Sequence, residues 1–449
     1  MAYALPGRRR PLRRRPSRFT GLDVDAVRSL VHGLLLLFWF TLPWEGVIRV
    51  GGSATLARAV GAVLTVAALA ALAIGGRRTR PGDVVWLMAV LAALVLASLM
   101  WTVTPGPTHQ RVVTMLQLLV MVAVTWEFAH SRRRVHHLMN AWLVGCVVVG
   151  LVACWAFLNG QAETRYSAPG TSPGNVAYAL LIGVPIAWYL GLRARRATAV
   201  WLYRLYVPFA CLGVVLTASR AGLITMGVSL LIIPLTLGWL APRGRIGVGL
   251  AALGALALAV PLAAVAVGPI ARLSTTSTEI STGTLDHRTT LWEIGFRLIR
   301  DHPILGLGAG GSKAAVSGQF EAAKGLHNTF LSVTVELGLL GLAVFGLLLV
   351  AGFYRALSGL PPLETRMMWV TLVVFGVSLS TRHADYTKST YALITLFALI
   401  GHLLGPEPTG RPIETDPVAT GPVATDPVET DPARADRPGP VSPVVPPRP

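Results

Sequence analysis

The sequence carries little charge for its length. Only 13% of its 449 residues are charged, whereas a soluble domain has about 25%, and 53% are hydrophobic. Too few charges are present to cover a soluble surface, and too many apolar residues are present for the chain to stay disordered. The composition therefore excludes an ordinary soluble enzyme and a disordered protein, and it favours a multi-pass membrane protein.

Cysteine and lysine are also scarce. The three cysteines lie inside apolar runs, and Cys146 and Cys154 would be roughly 12 Å apart on one helix, too far for a disulfide, so no redox role is expected. The net charge of +18 comes almost entirely from arginine. In a soluble protein this excess would suggest nucleic acid. Here the basic residues follow the loops between apolar runs, and no nucleic-acid partner is predicted.

Long apolar runs are what the sequence has in abundance. They predict an all-α, polytopic integral membrane protein with about 12 transmembrane helices and no cleaved signal peptide. The predicted spans are 28–44, 54–74, 84–101, 111–129, 137–158, 175–192, 200–217, 221–240, 246–267, 328–351, 366–380 and 389–405.

The distribution of basic residues predicts the orientation of these spans. Residues 1–26 contain seven arginines, and every second loop after them is again rich in arginine. Because basic residues in short loops mark the cytoplasmic side, both termini are predicted to be cytoplasmic and the protein to lie in the cytoplasmic membrane. The predicted domains are a basic N-terminal segment (1–26), a transmembrane domain (27–405) and a disordered Pro/Thr/Asp-rich cytoplasmic tail (406–449).

The one long extracytoplasmic loop, 268–326, contains an amphipathic pattern at Arg288–Arg300. We expect a helix that lies on the membrane surface, or one that covers a site. The glycine-rich run 306–311 follows. It matches a dinucleotide-binding spacing, but no strand precedes it, so that function is excluded. Its backbone N–H groups either approach a substrate or simply let the chain turn.

Basic residues on the extracytoplasmic side are not needed for topology and are therefore candidate ligands. Arginine binds phosphate in a bidentate manner, and several arginines at one cavity would suit a lipid-linked diphosphate, although each alone could equally be solvated. His327 is predicted to begin the span 328–351, where the helix dipole keeps an imidazole neutral, as a general base must be. A helix cap or a headgroup contact is the alternative. Glu336 is predicted to be a buried hydrogen-bonding group.

Four patches between about residues 160 and 345 resemble the O-antigen ligase and O-antigen polymerase family of bacterial surface-polysaccharide enzymes. They are Thr217-Ala-Ser-Arg220-Ala-Gly222; Arg288 and Trp292 ahead of His302-Pro-Ile-Leu-Gly-Leu-Gly308; His327-Asn328-x-x-Leu331 with Glu336-x-Gly338-x-x-Gly341; and, more loosely, Arg165 to Tyr178. The order of the patches and their placement outside agree with that family.

The resemblance implies a multi-span glycosyltransferase that needs no metal and no cofactor. Such enzymes transfer a glycan from an undecaprenyl-diphosphate carrier to an acceptor hydroxyl on a glycan, lipid or protein at the outer membrane face. It implies that His327 deprotonates the acceptor and that Arg220 and Arg288 bind the leaving diphosphate. Asn328 and Asn175 are implied helpers, although Pro-Gly-Asn replaces the more usual Pro-Asn before Asn175.

Arg165, Arg382 and Lys388 are further possible substrate contacts on the same side. Two other functions stay open: a twelve-span transporter or flippase of lipid-linked sugars, and a scaffold in a polysaccharide assembly complex. The major-facilitator loop motif and an obvious internal repeat are both missing from the sequence, which weighs against a transporter. The pattern does not separate a ligase from a polymerase and does not give the donor glycan, the acceptor, the stereochemistry or the oligomeric state.

Overall fold

The computed structural model describes residues 24–50, 55–159, 165–242, 244–249, 288–317, 325–356 and 359–404. Throughout these ranges the fold is helical, and the one β-type pairing is an isolated bridge between Arg49 and Thr55. The predicted all-α fold class is confirmed for this part of the chain. The segment before residue 24, the tail 406–449 and residues 268–287 of the predicted loop 268–326 lie outside the described residues.

Fourteen α-helices with defined bounds make up most of the described structure. They are α1 Val24–Thr41, α2 Leu56–Gly75, α3 Asp83–Ala97, α4 Pro105–Phe128, α5 Arg132–Leu158, α6 Pro173–Arg193, α7 Ala197–Leu216, α8 Arg220–Leu230, α9 Ile232–Thr236, α10 Arg288–Asp301, α11 Gly311–Ser317, α12 Thr329–Phe353, α13 Pro362–Thr381 and α14 Lys388–Leu404.

Ten helical segments in the described ranges are long and apolar enough to cross a membrane, and α14 is a shorter apolar helix. Together they account for every predicted span but one, because the run 246–267 lies mostly outside the described residues. Large side chains such as Trp86, Trp155 and Trp201 are exposed on the outside of the bundle. An apolar exterior of this kind suits lipid rather than water, and the chain is a multi-pass membrane protein.

The helix α6 is the centre of the bundle, and nearly all of its side chains are buried. It packs against α5, α7, α8 and α13. Glycines at the contacts allow close approach: a Cβ on Gly150 would lie 2.5 Å from Phe209, and one on Gly183 would lie 2.0 Å from the Tyr206 hydroxyl. Small residues at helix contacts are the usual means of tight packing in a membrane.

Two buried glutamates are each paired with an arginine at one end of the bundle. At the end predicted to be cytoplasmic, buried Arg28 pairs with buried Glu127, and Arg193 pairs with Glu364. The opposite end carries every predicted site residue, and we call it the outer end. It consists of residues 41–56, 98–111, 158–175, 216–220, 288–317, 325–329 and 381–388, where these are described. The orientation of the two ends in the membrane stays a prediction.

The helix α12 is broken at Gly338, where the sequence predicted a continuous span. Gly338 has φ 66° and ψ −168°, a region open essentially only to glycine. The backbone carbonyls of Pro303 and Ile304 insert at the break and accept hydrogen bonds from the N–H groups of Leu339 (2.8 Å) and Leu340 (3.4 Å). The loop after α10 therefore supplies the cap of the second half of α12.

We expect Gly338→Ala to lower the free energy of unfolding by about 2 kcal/mol or more, since the added Cβ would lie 2.0 Å from the Ile304 carbonyl oxygen in a disfavoured backbone conformation. Gly346→Ala is the matched control on the same helix, because a Cβ there has no neighbour within 4 Å. It should be neutral or stabilise by up to about 1 kcal/mol. Melting curves in detergent compare the two, and equal melting temperatures would contradict the break.

Cysteine labelling tests the predicted orientation. Asp301, at the end of α10, and Arg196, between α6 and α7, are both exposed and lie at opposite ends of the bundle. In a background without the native cysteines, Asp301→Cys should react with a membrane-impermeant maleimide on intact cells. Arg196→Cys should react only after lysis. The reverse pattern would invert the topology.

Candidate functional site

Two of the sequence motifs begin helices at the outer end in the same way. The Ser219 hydroxyl accepts a hydrogen bond from the Gly222 N–H (3.2 Å), and the Asn328 side chain accepts one from the Leu331 N–H (3.1 Å). Both are side-chain N-caps. The residue before each cap, Ala218 (φ 46°) and His327 (φ 49°), has a left-handed backbone, and no other non-glycine in the described ranges does. Strained backbone of this kind clusters at functional sites.

The span predicted at about 328–351 starts one residue before the helix in the structure, and His327, predicted at its start, lies just ahead of it. The helix α12 begins at Thr329 and Asn328 is its cap, so His327 precedes the helix and is exposed at the outer end. The cap explains the difference, because a side chain that bonds the N–H three residues ahead must itself leave the helical conformation. The side-chain oxygen of Asn328, predicted as a possible substrate contact, is used in this cap.

A third helix, α6, begins at the outer end with Ser172 as its N-cap. The side chain of Asn175, in its first turn, accepts a hydrogen bond from Arg382 Nε (3.0 Å). The guanidinium of Arg382 lies over the Tyr178 ring, 4.0 Å from its centroid. The backbone oxygen of Arg382 in turn accepts from the hydroxyl of Thr329 (2.8 Å). The structure therefore joins Asn175 and Arg382 to the first turn of α12.

Arg165 is joined to the motif that contains Arg220. Its Nε donates to the backbone oxygen of Thr217 (3.4 Å), and the neighbouring Tyr166 N–H donates to the Leu216 oxygen (3.0 Å). Arg220 is the first residue of α8, half-buried, directly after the Ser219 cap. Lys388, by contrast, forms an ion pair with Glu45 at the end of the first span.

One face of the helix α10 packs on α12, and the other face is exposed. Leu291 and Ile294 are buried, Gly295 lies against Leu331, and the Trp292 Nε1 donates to the backbone oxygen of Leu326 (3.0 Å). The predicted amphipathic helix is present at Arg288–Asp301. These contacts bring α10, and the half-buried Arg288 at its start, to the segment that immediately precedes His327.

The glycine-rich run turns the chain instead of exposing its N–H groups. Leu307 and Gly308 donate to the backbone oxygens of Val335 and Glu336 (both 2.9 Å), and Gly310 donates to the Glu336 carboxylate (2.7 Å). A Cβ on Gly306, which has a φ of 66°, would lie 2.6 Å from the Glu336 backbone. Of the two roles left open from the sequence, the structure supports chain redirection.

Glu336 is fully buried and accepts three hydrogen bonds, as predicted for a buried hydrogen-bonding group. The donors are the Gly310 N–H, the Ser312 hydroxyl (2.5 Å) and the Tyr386 hydroxyl (2.9 Å). The guanidinium of Arg111 lies over the Tyr386 ring, 4.4 Å from its centroid. Sequence reasoning overlooked Arg111 and Tyr386 in this role, because Tyr386 lies 50 residues from Glu336 along the chain and Arg111 lies far from both.

A second polar group lies in the loop before α14. The Ser332 hydroxyl is 3.1 Å from His383 Nδ1 and 3.2 Å from Asp385 Oδ2, and His383 Nε2 is 3.3 Å from Asp385 Oδ1. Burial lowers the pKa of His383 to about 4 and raises the pKa of Asp385 to about 6. Arg111 and Lys313 lower both pKa values by their charge. Both groups are therefore neutral near pH 5.

No group of three or more His, Cys, Asp or Glu side chains that could hold a metal ion occurs in the described ranges. Metal independence itself stays a prediction, to be tested on activity.

Comparison with known families identifies the segment that carries these motifs. Residues 205–346 match the family model described as O-antigen ligase, and the resemblance stated from the sequence is confirmed. The match includes Arg220, Arg288, His327 and Asn328, whereas Arg165, Asn175, Arg382 and Lys388 lie outside it. No curated protein matches the chain.

The pKa shifts of His383 and Asp385 predict opposite pH dependence in two variants. In Asp385→Asn, folded His383 (pKa about 4, ordinarily 6.5) binds fewer protons than the unfolded chain, so stability should rise from pH 4 to 6.5. In His383→Gln, folded Asp385 (pKa about 6, ordinarily 3.8) binds more protons than the unfolded chain, so stability should fall over about the same range. Melting temperatures in detergent at pH 4 to 7 measure both slopes. Slopes of the same sign would contradict this arrangement.

Proposed function

Because residues 205–346 form an O-antigen ligase family domain, we propose that this protein transfers a glycan from an undecaprenyl-diphosphate-linked donor to an acceptor hydroxyl at the outer face of the cytoplasmic membrane. The family match supports a glycosyltransferase-like enzyme of surface polysaccharide assembly. The observation that carries the proposal is that both matched motifs begin helices at the same end of the bundle, each after a strained residue.

His327 is the proposed general base. It is exposed and precedes the N-terminus of α12, where the positive end of the helix dipole disfavours an imidazolium. The neutral ring accepts the proton of the acceptor hydroxyl while the acceptor oxygen bonds to the anomeric carbon of the donor sugar. The bond from that carbon to the diphosphate oxygen breaks, and the lipid diphosphate leaves with the electron pair.

Arg220 and Arg288 are the proposed ligands of the leaving diphosphate. Arg220 lies at the N-terminus of α8, so its guanidinium and the helix dipole act on an anion in the same direction. Arg288 begins α10, which packs beside the His327 segment. Charged donors in a water-poor site stabilise developing negative charge more than they would in water. Arg165, held beside the Arg220 motif, is a further candidate contact.

Asn175, Arg382 and Asn328 are proposed to support the site, and Lys388 to act through its ion pair with Glu45. The partners are the lipid-linked donor, the surrounding membrane lipids and a glycan, lipid or protein acceptor. Neither a metal nor a cofactor takes part in the proposed chemistry, because a diphosphate leaving group held by arginines needs no other counter-charge.

A transporter or flippase of lipid-linked sugars is the alternative. The broken helix α12 favours it, because many transporters bind substrate at a discontinuous helix. At this break, however, the N–H groups of Leu339 and Leu340 are used by the Pro303 and Ile304 carbonyls. The glycosyltransferase assignment is therefore better supported.

Reconstitution with a lipid-diphosphate glycan and a candidate acceptor tests the proposal. His327→Ala should lower the rate of glycan transfer by about 10²- to 10⁴-fold, as expected for loss of a general base. Arg220→Gln and Arg288→Gln should each lower it by about 10²- to 10³-fold. His302→Ala is the matched control, since His302 is an exposed histidine of the same outer region outside the proposed site. It should leave the rate unchanged.

Unchanged transfer by His327→Ala would remove the base assignment, and movement of the lipid-linked sugar without transfer would favour the transporter. Strict loss of activity on treatment with EDTA would contradict a metal-free mechanism.

A further inference from the structure

A cavity of about 360 Å³ opens at the outer end, between the end of the first span, the start of α6 and the loop before α14. Its lining includes both polar and apolar side chains. Among the residues that line it are Glu45, Arg49, Asn175, Tyr178, Arg382 and Ser389. None of them falls within the matched family segment 205–346.

Arg382 is the residue that makes this cavity unusual. It is 9% exposed, so its guanidinium is nearly out of water. Asn175 accepts from Nε, and the Tyr178 ring supports one face of the guanidinium. Nη1 of Arg382 is buried and has no hydrogen-bond partner of good geometry among the described residues, while the Tyr178 hydroxyl interacts with the Arg382 guanidinium and with Thr390. Buried donors without partners are rare, because each costs about 1–3 kcal/mol and more when charged.

The charges around the cavity leave Arg382 without an acidic partner among the described residues. Glu45 is the carboxylate on the wall, and it already accepts from Lys388 and from the Thr55 hydroxyl (3.3 Å). Arg49 lies on the same wall and adds a second positive charge. The N-terminus of α6, at Pro173, is directed to this end and favours an anion as well.

We propose that this cavity binds a phosphate ester whose phosphate pairs with Arg382. A phosphate oxygen accepts from the free Nη1 and satisfies the buried charge, as guanidinium–phosphate pairs do. Ser389 and Asn175 also line the cavity, and their hydroxyl and amide N–H groups can bond the remaining oxygens, whereas the Thr387 hydroxyl already donates to the Ala384 backbone oxygen (3.0 Å). The volume exceeds that of phosphate alone, and Leu42 and Trp142 offer an apolar surface to the rest of the ligand. A lipid headgroup and a soluble sugar- or glycerol-phosphate share this chemistry.

The pocket shares Arg382 and Asn175 with the proposed transfer site, but the binding of a phosphate ester in it does not require glycan transfer. Failure of the transfer assay would not contradict phosphate binding in this pocket. Failure of the binding assay would not contradict the proposed roles of His327, Arg220 and Arg288.

Binding of two probes to the purified full chain tests the pocket. Glycerol 1-phosphate represents the soluble ester, and phosphatidylglycerol in detergent micelles represents the headgroup, with diacylglycerol as the lipid that lacks phosphate. At least one phosphate probe should raise the melting temperature and show saturable binding. A response to phosphatidylglycerol alone identifies a lipid headgroup, and a response to glycerol 1-phosphate alone identifies a soluble ester.

Two variants and one control locate the binding. Arg382→Gln should weaken binding at least tenfold. Asn175→Asp should do the same, because it puts a carboxylate on Arg382 Nε in place of the ligand's charge. The Asn175 side chain is exposed at a helix N-terminus, where an acidic residue is tolerated. Binding to the Asn175→Asp variant can therefore be measured even if Arg382→Gln fails to fold. Arg366→Gln is the control, since Arg366 also stacks on an aromatic ring, that of Trp239, at the opposite end of the bundle.

The control should bind as the wild type does. The proposal is overturned if neither phosphate probe binds, if diacylglycerol stabilises as much as phosphatidylglycerol, or if Asn175→Asp retains wild-type affinity.

Discussion

The buried carboxylate of Glu336 is the interaction on which the outer end depends. Its three donors, Gly310, Ser312 and Tyr386, come from two segments that are far apart along the chain. An unpaired carboxylate in an apolar interior is strongly unfavourable, so all three donors must be present together. By holding the glycine-rich run against α12, Glu336 also holds the carbonyls that cap the second half of the broken helix. The position of α10 and of the His327 segment follows from that packing.

Charge is used differently at the two ends of the bundle. At the end predicted to be cytoplasmic, Arg28 and Arg193 are paired with the buried carboxylates of Glu127 and Glu364, which makes them part of the packing. At the outer end Arg382 has an amide and an aromatic ring as neighbours, and no carboxylate among the described residues. Because no carboxylate neutralises this guanidinium, its positive charge can attract an anion that enters from outside. Burial strengthens that attraction, since the surroundings have a low dielectric constant.

Much of the fold could be read from the sequence because the membrane simplifies the problem. Hydropathy indicated the spans, since a helix that crosses lipid must be apolar along about 20 residues. The helix at Arg288 and the buried role of Glu336 were also predicted correctly. The break at Gly338 was not, because it depends on two carbonyls that a distant loop inserts into the helix. The start of α12 was predicted to within one residue, but the capping role of Asn328 was not, because whether an Asn caps a helix or continues it depends on a hydrogen bond that the sequence alone does not show.

The linear sequence was enough to establish the class of molecule, an all-helical membrane protein whose residues 205–346 match the O-antigen ligase family model. Composition and hydrophobic periodicity depend on residues close together along the chain, so both can be recognised from the sequence. Which polar groups contact one another became visible in the folded chain. The pairing of Arg382 with Asn175, the link from Arg382 to Thr329, and the use of Lys388 against Glu45 join residues 53 to 343 positions apart. In an apolar interior each such group must find a partner, and helix packing, which no local pattern encodes, decides which partner lies within reach.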